Sequence, residues 1–408
     1  MIALAMMLAQ AAAGLPADCT SICDARRLKP YFDKLAHLRR DGRTVRIIQI
    51  GDSHTAGDQI TGAWRAALQA RYGNAGRGVL APGRPYQGYL TRDVTAAQGP
   101  GWTVSGIFGP AYRSTGAPPI GIGGYSFSAP GVAGERLSIA ADRGGFDRFT
   151  VCALTGPGAG TLTLDLGADQ ATMSLDAARP GSRCQTLDAT GFATTAGLTA
   201  SGPVTVTSWS TERATPGVIL SNLGTVGAQF IHATRMDEAV IATEIAAYKP
   251  DLLVVAFGTN EAFMPRFSAA EYSVRLRAGV TRLKRLLPGV PILLIGAPDS
   301  ATKQVALQTS EDGVSPLCPA STTPEWRATA ALVTVQAIQR QIAHEEGLAF
   351  WDWGRAMGGA CTALAWSTAI PPLMRPDRVH FTSAGGATVA RLLQADLDRA
   401  AADLSTDR

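Results

Sequence analysis

Ser53 is the first residue of the chain whose type and position indicate chemistry. It lies in Gly51–Asp58 (GDSHTAGD), between a strand pattern and a helix pattern. In an open α/β sheet this is the carboxyl edge, where such sheets bind ligands, and the following helix points its N-terminal dipole and free N–H groups there. The position therefore suits a nucleophile whose attack creates an oxyanion. The alternative interpretation is an N-cap or turn serine, which is common before a helix.

Asp377 and His380 form a D-x-x-H pair (DRVH) just before the last predicted helix. This spacing lets the carboxylate accept a hydrogen bond from one ring N–H within a single turn. The other ring nitrogen can then take the proton of a serine hydroxyl. A solvated loop pair is the alternative interpretation, and the spacing alone does not decide between the two.

Two further segments carry hydrogen-bond donors. Asn260 follows a strand pattern in Gly258–Glu261 (GTNE), where its amide could donate to a developing oxyanion; a turn-forming asparagine is the alternative. Ser221–Gln229 (SNLGTVGAQ) contains Gly224 and Gly227, and glycines allow backbone N–H groups to approach a ligand closely. An ordinary tight turn would have the same composition.

The elements that must position these residues alternate between strand and helix. Val45–Ile50 (VRIIQI) has the pattern of a largely buried strand, and the apolar spacing from Ile60 to Leu68 predicts an amphipathic helix. After residue 230, helix and strand patterns alternate at about 236–248, 252–257, 269–287, 291–295, 325–346, 348–351 and 383–404. This order predicts a parallel sheet covered by helices on both faces.

The pattern changes between roughly residues 83 and 218. Short alternating runs are separated there by Gly, Pro and Asp, as in Thr161–Leu166 (TLTLDL), Thr172–Leu175 and Val204–Trp209. No long helical period occurs in this segment. We predict a β-sandwich that is inserted into the α/β domain.

Composition and charge limit the class of protein. The chain has 408 residues, of which 46% are hydrophobic and 17% charged. This balance indicates buried cores rather than disorder, and the length suggests two domains or one core with a large insertion. The formal net charge of +4 without a long basic run argues against a nucleic-acid partner.

The N-terminal segment predicts export. Ile2–Gly14 is a short apolar stretch that ends in small residues, like the h-region and cleavage zone of a signal peptide, although the basic n-region is missing. We take residues 1–18 as the signal segment. No later segment approaches the ~20 apolar residues of a membrane span. We expect an exported protein of the periplasm or cell envelope without stable membrane insertion.

The cysteines favour disulfides. The chain has six, and none forms a C-x-x-C pair, so disulfides are preferred to zinc in an exported chain. Several pairings are open, and buried free thiols are the alternative. We expect pairing between neighbours in sequence, because each pair then lies within one segment: Cys19 with Cys23, Cys152 with Cys184, and Cys318 with Cys361.

Taken in order, these segments resemble the blocks of the SGNH (GDSL-like) hydrolases: a serine in a GDS block, then a glycine, then an asparagine, and finally D-x-x-H. The resemblance covers about residues 44–76 and 217–400. It implies a flavodoxin-like three-layer α/β hydrolase domain formed by residues 19–82 and 219–408. Residues 83–218 would then be an inserted β-rich, carbohydrate-binding-like domain.

The resemblance also implies a catalytic triad. Ser53 looks like the nucleophile, His380 like the base and Asp377 like the partner that orients it. The chain departs from the commonest family pattern at His54, where leucine is usual. His54 is too close in sequence to Ser53 to be its obvious base, so we assign it no catalytic role and expect a structural histidine.

An oxyanion hole is implied in the same way. The N–H of Ser53 looks like one donor, Gly227 like the second, with Gly224 as its competitor, and Asn260 like the third. Chemistry of this kind needs no metal or organic cofactor.

Within the group, the chain is similar to bacterial peptidoglycan O-acetylesterases in its segments GDSHTAGD, YGNAG, GTNEAF and VHFTSAGG. This likeness implies a secreted serine esterase whose substrate is an O-acetylated glycan, peptidoglycan above all. Trp102, Tyr125 and Trp209 of the insertion could stack on sugar rings or form core. The alternatives are a glycan O-acetyltransferase, a broad-specificity lipid or aryl esterase, and a non-catalytic glycan-binding protein, which would normally lack a triad member.

Overall fold

A computed structural model describes residues 21–131, 134–304, 309–310, 313–314, 318 and 326–406. The predicted signal segment and Cys19, with its predicted bond to Cys23, lie outside the described residues. The α-helices are α1 (Lys29–Asp41), α2 (Ser53–Ala56), α3 (Ile60–Tyr72), α4 (Glu238–Tyr248), α5 (Thr259–Ala262), α6 (Ala269–Leu286), α7 (Ala330–Glu345), α8 (Trp353–Met357), α9 (Thr362–Thr368) and α10 (Ser383–Thr406). Short 3₁₀ helices are formed by Ala25–Leu28, Gly109–Ala111 and Phe230–Arg235.

The strands follow in chain order: β1 (Ile22–Cys23), β2 (Thr44–Gly51), β3 (Gly76–Leu80), β4 (Val94–Gln98), β5 (Thr103–Gly106), β6 (Tyr125–Ala129), β7 (Glu135–Ala141), β8 (Phe146–Thr155), β9 (Thr161–Leu166), β10 (Asp169–Ser174), β11 (Gly181–Ala193), β12 (Thr195–Ser201), β13 (Val204–Glu212), β14 (Gly217–Gly224), β15 (Leu252–Ala256), β16 (Ile292–Ile295), β17 (Ala301–Thr302), β18 (Thr309–Ser310), β19 (Gly313–Val314), β20 (Arg327–Ala328) and β21 (Ala349–Trp351). The predicted elements are confirmed to within a few residues at their ends, except at the start of the helix predicted for 325–346. That helix begins at Ala330, and Arg327–Ala328 form strand β20 instead; Glu325 lies outside the described residues. The fold class is the predicted mixture of α and β.

The chain divides into two compact units. The first consists of Met1–Asp33, Val254–Arg282 and Pro291–Arg408, and the second of Lys34–Leu253 and Leu283–Val290.

The first unit contains β1, β16 and β21 together with the helices α5, α7 and α10. Strand β16 pairs in parallel with β21, and β21 pairs antiparallel with β1. The apolar face of α10 is buried through Val389, Leu393 and Leu397, which repeat at the four-residue spacing of one helix face. Strands that alternate with helices produce this parallel pairing, as predicted from the sequence.

The second unit begins with an α/β pair. Strand β2 pairs in parallel with β14 over its whole length, from Thr44 opposite Gly217 to Gly51 opposite Gly224. Helix α3 connects β2 to the rest of the unit and buries Trp64 completely. The buried strand followed by a turn and an amphipathic helix is therefore the element that presents Ser53.

The remainder of the second unit is a β-sandwich of two antiparallel sheets. One sheet has the strand order β10-β9-β12-β7-β4 and the other β11-β8-β13-β6-β5, with β3 paired to β13. Alternate residues of both sheets point into one apolar core, for example Leu162, Leu164 and Leu166 of β9 and Val206 of β13. The sequence shows the same alternation, in which every second residue of a strand is apolar and points to one face of the sheet.

Three aromatic residues for which the sequence left two interpretations belong to this core. Trp102, Tyr125 and Trp209 are 7%, 4% and 0% exposed and are members of the same apolar cluster. The suggestion that they stack on sugar rings was wrong. Aromatic side chains contribute most stability where they are buried.

Two of the three expected disulfides are formed as predicted. Cys152 and Cys184 lie opposite each other on β8 and β11 and are bonded, and Cys318 is bonded to Cys361. Among the helices that the structure describes, none combines the length and apolar character that crossing a membrane requires.

Candidate active site

Ser53 lies where the sequence predicts it, directly after the carboxyl end of β2. It is the first residue of α2, whose N-cap is Asp52, and it is half-buried. The carbonyl of Ser53 accepts the N–H of Gly57 at 3.0 Å, and that of Asp52 accepts the N–H of Ala56 at 2.9 Å. These bonds close a tight turn that holds the serine backbone in place.

His54 is tied to the same turn. Asp52 Oδ1 accepts the backbone N–H of His54 at 2.9 Å and lies 3.1 Å from its Nδ1. Both side chains are almost completely buried. A histidine held in this way fixes the conformation of the turn, as expected for a structural residue.

Asp58, the last residue of the GDSHTAGD segment, is the centre of a buried ion network that sequence reasoning missed. Its carboxylate accepts hydrogen bonds from Arg65 at 2.9 Å, Arg77 at 3.2 Å, Thr61 at 2.7 Å and the backbone N–H of Arg92 at 2.8 Å. Burial alone would raise the pKa of Asp58, but the two guanidinium groups outweigh it and the pKa is lowered. The network joins the end of the serine turn to α3 and β3.

Gly224 packs directly against the serine turn. A Cβ on Gly224 would lie 2.1 Å from the N of Ala56 and 2.7 Å from the O of Asp52, so no side chain fits here. Gly227, three residues on, has a φ of +76° and lies under the ring of Phe108, which would be 2.9 Å from a Cβ. The contact of Gly224 brings this glycine segment beside Ser53.

The loop after Gly227 is ordered by His232. Its Nδ1 accepts the N–H of Gln229 at 3.0 Å, and its ring stacks on Phe108 with centroids 4.3 Å apart and planes inclined by 20°. Burial, and then the charge of Arg235, lower the pKa of His232 to about 4. The neutral ring is therefore the form that accepts this hydrogen bond at neutral pH.

Asn260 lies in α5, at the carboxyl end of β15, as predicted. The preceding Gly258 has a φ of +128°, and its Cα lies against the side chain of Gln339. That amide donates to Phe257 O at 2.7 Å and accepts the N–H of Ala297 at 2.9 Å. Gln339, which is 1% exposed, thus fixes the turn that presents Asn260. In the sequence it is only a polar residue on an otherwise apolar helix face, so the pattern did not indicate this role.

Asp377 and His380 are brought together as the spacing predicts. Asp377 Oδ2 lies 2.9 Å from Nδ1 of His380, while Oδ1 accepts the backbone N–H groups of Val379 and His380, both at 2.9 Å. Burial would raise the pKa of Asp377, but these hydrogen bonds outweigh it and the pKa is lowered. An ionised Asp377 carboxylate favours the tautomer of a neutral ring that carries the proton on Nδ1, and in that tautomer Nε2 is the acceptor.

The loop that carries this pair is fixed at its base. Arg375 N–H donates to the carbonyl of His380 at 2.7 Å, and Ala301 N–H donates to the carbonyl of Arg378 at 3.1 Å. Of the predicted site residues, Asp377 and His380 contact each other in the first unit, and Asn260 belongs to the same unit. Ser53 and Gly227 belong to the second unit.

Comparisons with known proteins show which family and which fold the chain is similar to. Residues 194–387 match the model of the GDSL-like lipase/acylhydrolase family. A solved structure of a peptidoglycan O-acetylesterase is 26% identical in sequence and covers 92% of this chain and 96% of its own, with a TM-score of 0.73. No curated protein sequence matches the chain.

The family match over residues 194–387 and the fold shared with the O-acetylesterase together support the enzyme class of the carboxylic ester hydrolases for this chain. In fold it is similar to the peptidoglycan O-acetylesterase over almost the whole length of both chains. Two other solved structures match with lower TM-scores. An acetyl xylan esterase is 16% identical and covers 44% of this chain and 80% of its own, with a TM-score of 0.31. A family two carbohydrate esterase from Cellvibrio japonicus is 15% identical and covers 76% of this chain and 99% of its own, with a TM-score of 0.28.

Proposed function

We propose that this hydrolase removes O-acetyl groups from a cell-wall glycan, peptidoglycan above all, through an acetyl-enzyme. The observation that carries the proposal is the likeness, at a TM-score of 0.73 and over more than nine-tenths of both chains, to a peptidoglycan O-acetylesterase. The short acyl group and the glycan are taken from that relative.

In this proposal Ser53 is the nucleophile, His380 the general base and Asp377 the group that orients and stabilises the imidazole ring. The contact of Asp377 with Nδ1 at 2.9 Å supports the last two roles. The position of Ser53 after a buried strand, in a turn closed by two backbone hydrogen bonds, supports the first.

The oxyanion would be held by the N–H groups of Ser53 and Gly227 and by the side-chain amide of Asn260. Gly227 is preferred to Gly224 because Gly224 is packed against the backbone of the serine turn, whereas Gly227 lies in the open part of the segment and is half-buried. Removing a single donor of this kind typically costs about 10²–10³ in kcat.

The reaction then proceeds in two steps. Ser53 Oγ attacks the ester carbonyl carbon as its proton passes to Nε2 of His380, and the tetrahedral oxyanion collapses as the sugar oxygen leaves with that proton. Water, deprotonated by the same ring, attacks the acetyl-enzyme; acetate leaves, and the proton returns to Ser53.

The proposed setting is the periplasm or cell envelope. The disulfides Cys152–Cys184 and Cys318–Cys361 fit an oxidising compartment, and the relative acts on a wall polymer. We further propose that residues 83–218 form a glycan-binding insertion in a hydrolase domain of residues 19–82 and 219–408.

Acetate release tests the proposal. The wild-type protein should release acetate from O-acetylated peptidoglycan faster than from acetylated xylan, and Ser53→Ala should reduce this rate by about 10³-fold or more. Ser201→Ala, at an exposed position of the sandwich, is the matched control and should retain wild-type activity.

Three outcomes would contradict the proposal. Acetate release by Ser53→Ala at the wild-type rate would remove the nucleophile. A preference for long-chain esters over acetate would indicate a lipid esterase. Acetylation of an added acceptor glycan, in place of acetate release, would indicate a transferase.

A further inference from the structure

Two segments of the second unit meet beside Gly227. One is Ile107–Tyr112, and the other runs from Val226 to Arg235. Arg235 Nη1 donates to the carbonyl of Ile107 at 2.7 Å, and its guanidinium lies 4.0 Å from the centroid of the Tyr112 ring.

These contacts form a continuous path from Gly227 to the surface. Phe108 covers Gly227 and stacks on His232, and His232 lies one turn before Arg235, which stacks on Tyr112. The path leads from the proposed oxyanion donor to a pair of side chains that reach solvent.

The outer end of the path is exposed and has a mixed character. Val226 is 49% exposed and Tyr112 36%, and Arg235 is also exposed. Such apolar and aromatic groups next to a planar cation are suited to a sugar ring that carries an anionic group.

Arg235 retains hydrogen-bonding capacity towards a ligand. Within the part of the chain that the structure describes, its side chain makes the bond to Ile107 O and the stack on Tyr112, and it forms no ion pair. A guanidinium carries five N–H donors in a planar fork that matches a carboxylate, and stacking on a ring leaves the donors at its edge available. His232, with a pKa of about 4, adds no charge here at neutral pH.

We propose that Tyr112, Val226 and Arg235 form a substrate subsite that binds a carboxylate-bearing part of the glycan, next to the acetyl ester that is cleaved. The inference rests on the proposed function, because Gly227 marks the reacting end only if it is an oxyanion donor. In peptidoglycan the carboxylate is that of the peptide or lactyl substituent; neutral acetylated glycans have no such group. Arg235 thus selects the anionic polymer over a neutral one.

Binding to an inactive enzyme tests the subsite apart from catalysis. In the Ser53→Ala background, Arg235→Ala should weaken binding of an O-acetylated muropeptide by about tenfold, as expected for loss of a charged hydrogen bond. Binding of a neutral acetylated xylo-oligosaccharide should change little. Arg391→Ala, at an exposed arginine of α10, should leave both affinities at the background value.

Kinetics separates a binding role from a merely structural one. With Ser53 intact, Arg235→Ala should raise KM for the muropeptide about tenfold with little loss of kcat. Arg235→Lys should recover part of the loss, since it keeps the charge but not the fork. Tyr112→Leu should also raise KM, because the stacked ring is lost.

Two results would overturn the inference. An unchanged muropeptide affinity in Arg235→Ala would exclude the subsite. An equal loss of kcat on the muropeptide and on 4-nitrophenyl acetate would show that Arg235 only holds the loop. Failure of the proposed function looks different: the wild type would not release acetate from any glycan, while the affinity difference in the Ser53→Ala background would still report on the subsite.

Discussion

His232 should remain neutral well below the pH at which an ordinary histidine gains a proton. The residue is 9% exposed, and its Nδ1 accepts the backbone N–H of Gln229, a bond that protonation of Nδ1 would break. Burial and the charge of Arg235 lower its pKa from 6.5 to about 4. This difference corresponds to about 3 kcal/mol of free energy in favour of the neutral ring.

The sign of the pH effect follows from the direction of this shift. Between pH 6.5 and about 4 the unfolded chain binds a proton at this residue and the folded chain does not. The contribution of His232 to the free energy of unfolding is therefore complete above pH 6.5 and is lost as the pH falls towards 4. At pH 4.5 the loss should be about 2.5 kcal/mol.

The assay compares wild type with His232→Gln. Glutamine offers an oxygen to the N–H of Gln229 but does not titrate. Urea unfolding at pH 7.5 and 4.5 should show that the wild type loses about 2.5 kcal/mol more than the variant. In protein labelled at the histidine rings, NMR should show no protonation of His232 above about pH 5. Phe108→Leu, which removes the stacked ring, should move the pKa back towards 6.5.

Two results together would refute this reasoning. The wild type and His232→Gln would lose the same free energy of unfolding between pH 7.5 and 4.5, and the NMR signal of the His232 ring would titrate near pH 6.5. The stack and the hydrogen bond would then not restrain the ring. The loop after Gly227 would have to be held by other contacts.

Three more perturbations have expected outcomes. Asp58→Asn should lower the free energy of unfolding by about 3–5 kcal/mol in urea, because the buried Arg65 and Arg77 lose their ion pairs with Asp58, and Arg65 keeps only its pair with Asp93. Asp188→Asn, at an exposed pair with side chains 38% and 60% accessible, should cost less than about 1 kcal/mol; equal losses would contradict the network. Replacing Cys152 and Cys184 together by alanine opens a loop of 32 residues and should cost about 3–4 kcal/mol, and an unchanged urea midpoint would show that the bond does not restrain the unfolded chain. Gln339→Leu removes the two hydrogen bonds that this amide makes to Phe257 O and to the N–H of Ala297, so kcat for aryl acetate should fall more than KM changes; an unaltered kcat would show that this glutamine does not hold the Asn260 turn.

The elements of this fold are predictable because local periodicity decides them. The buried strand before Ser53, the alternating leucines of β9 and the four-residue spacing in α10 each reflect the face that an element buries, and burial of one face imposes a period. The D-x-x-H contact is predictable for the same reason, because it forms within a single turn.

The residues that support the site were not predictable, because their partners are remote in sequence. Asp58 meets Arg77 of β3, and Gln339 of α7 meets the backbone after β15 and β16. Each is a polar residue in a segment whose pattern only indicates helix or turn. A single sequence contains no record of which distant donor satisfies a buried acceptor, although buried polar groups must find one.

The aromatic residues are a second case that the sequence could not decide, because residue type alone does not show which rings are buried. Aromatic character led us to consider Trp102 and Trp209 as sugar platforms, and both are buried in the sandwich core. Tyr112, which the sequence did not single out, has a ring that reaches solvent and stacks on the remote Arg235. Residue type therefore sets what a side chain can bind, but burial and contacts with remote residues decide which rings are available to do so.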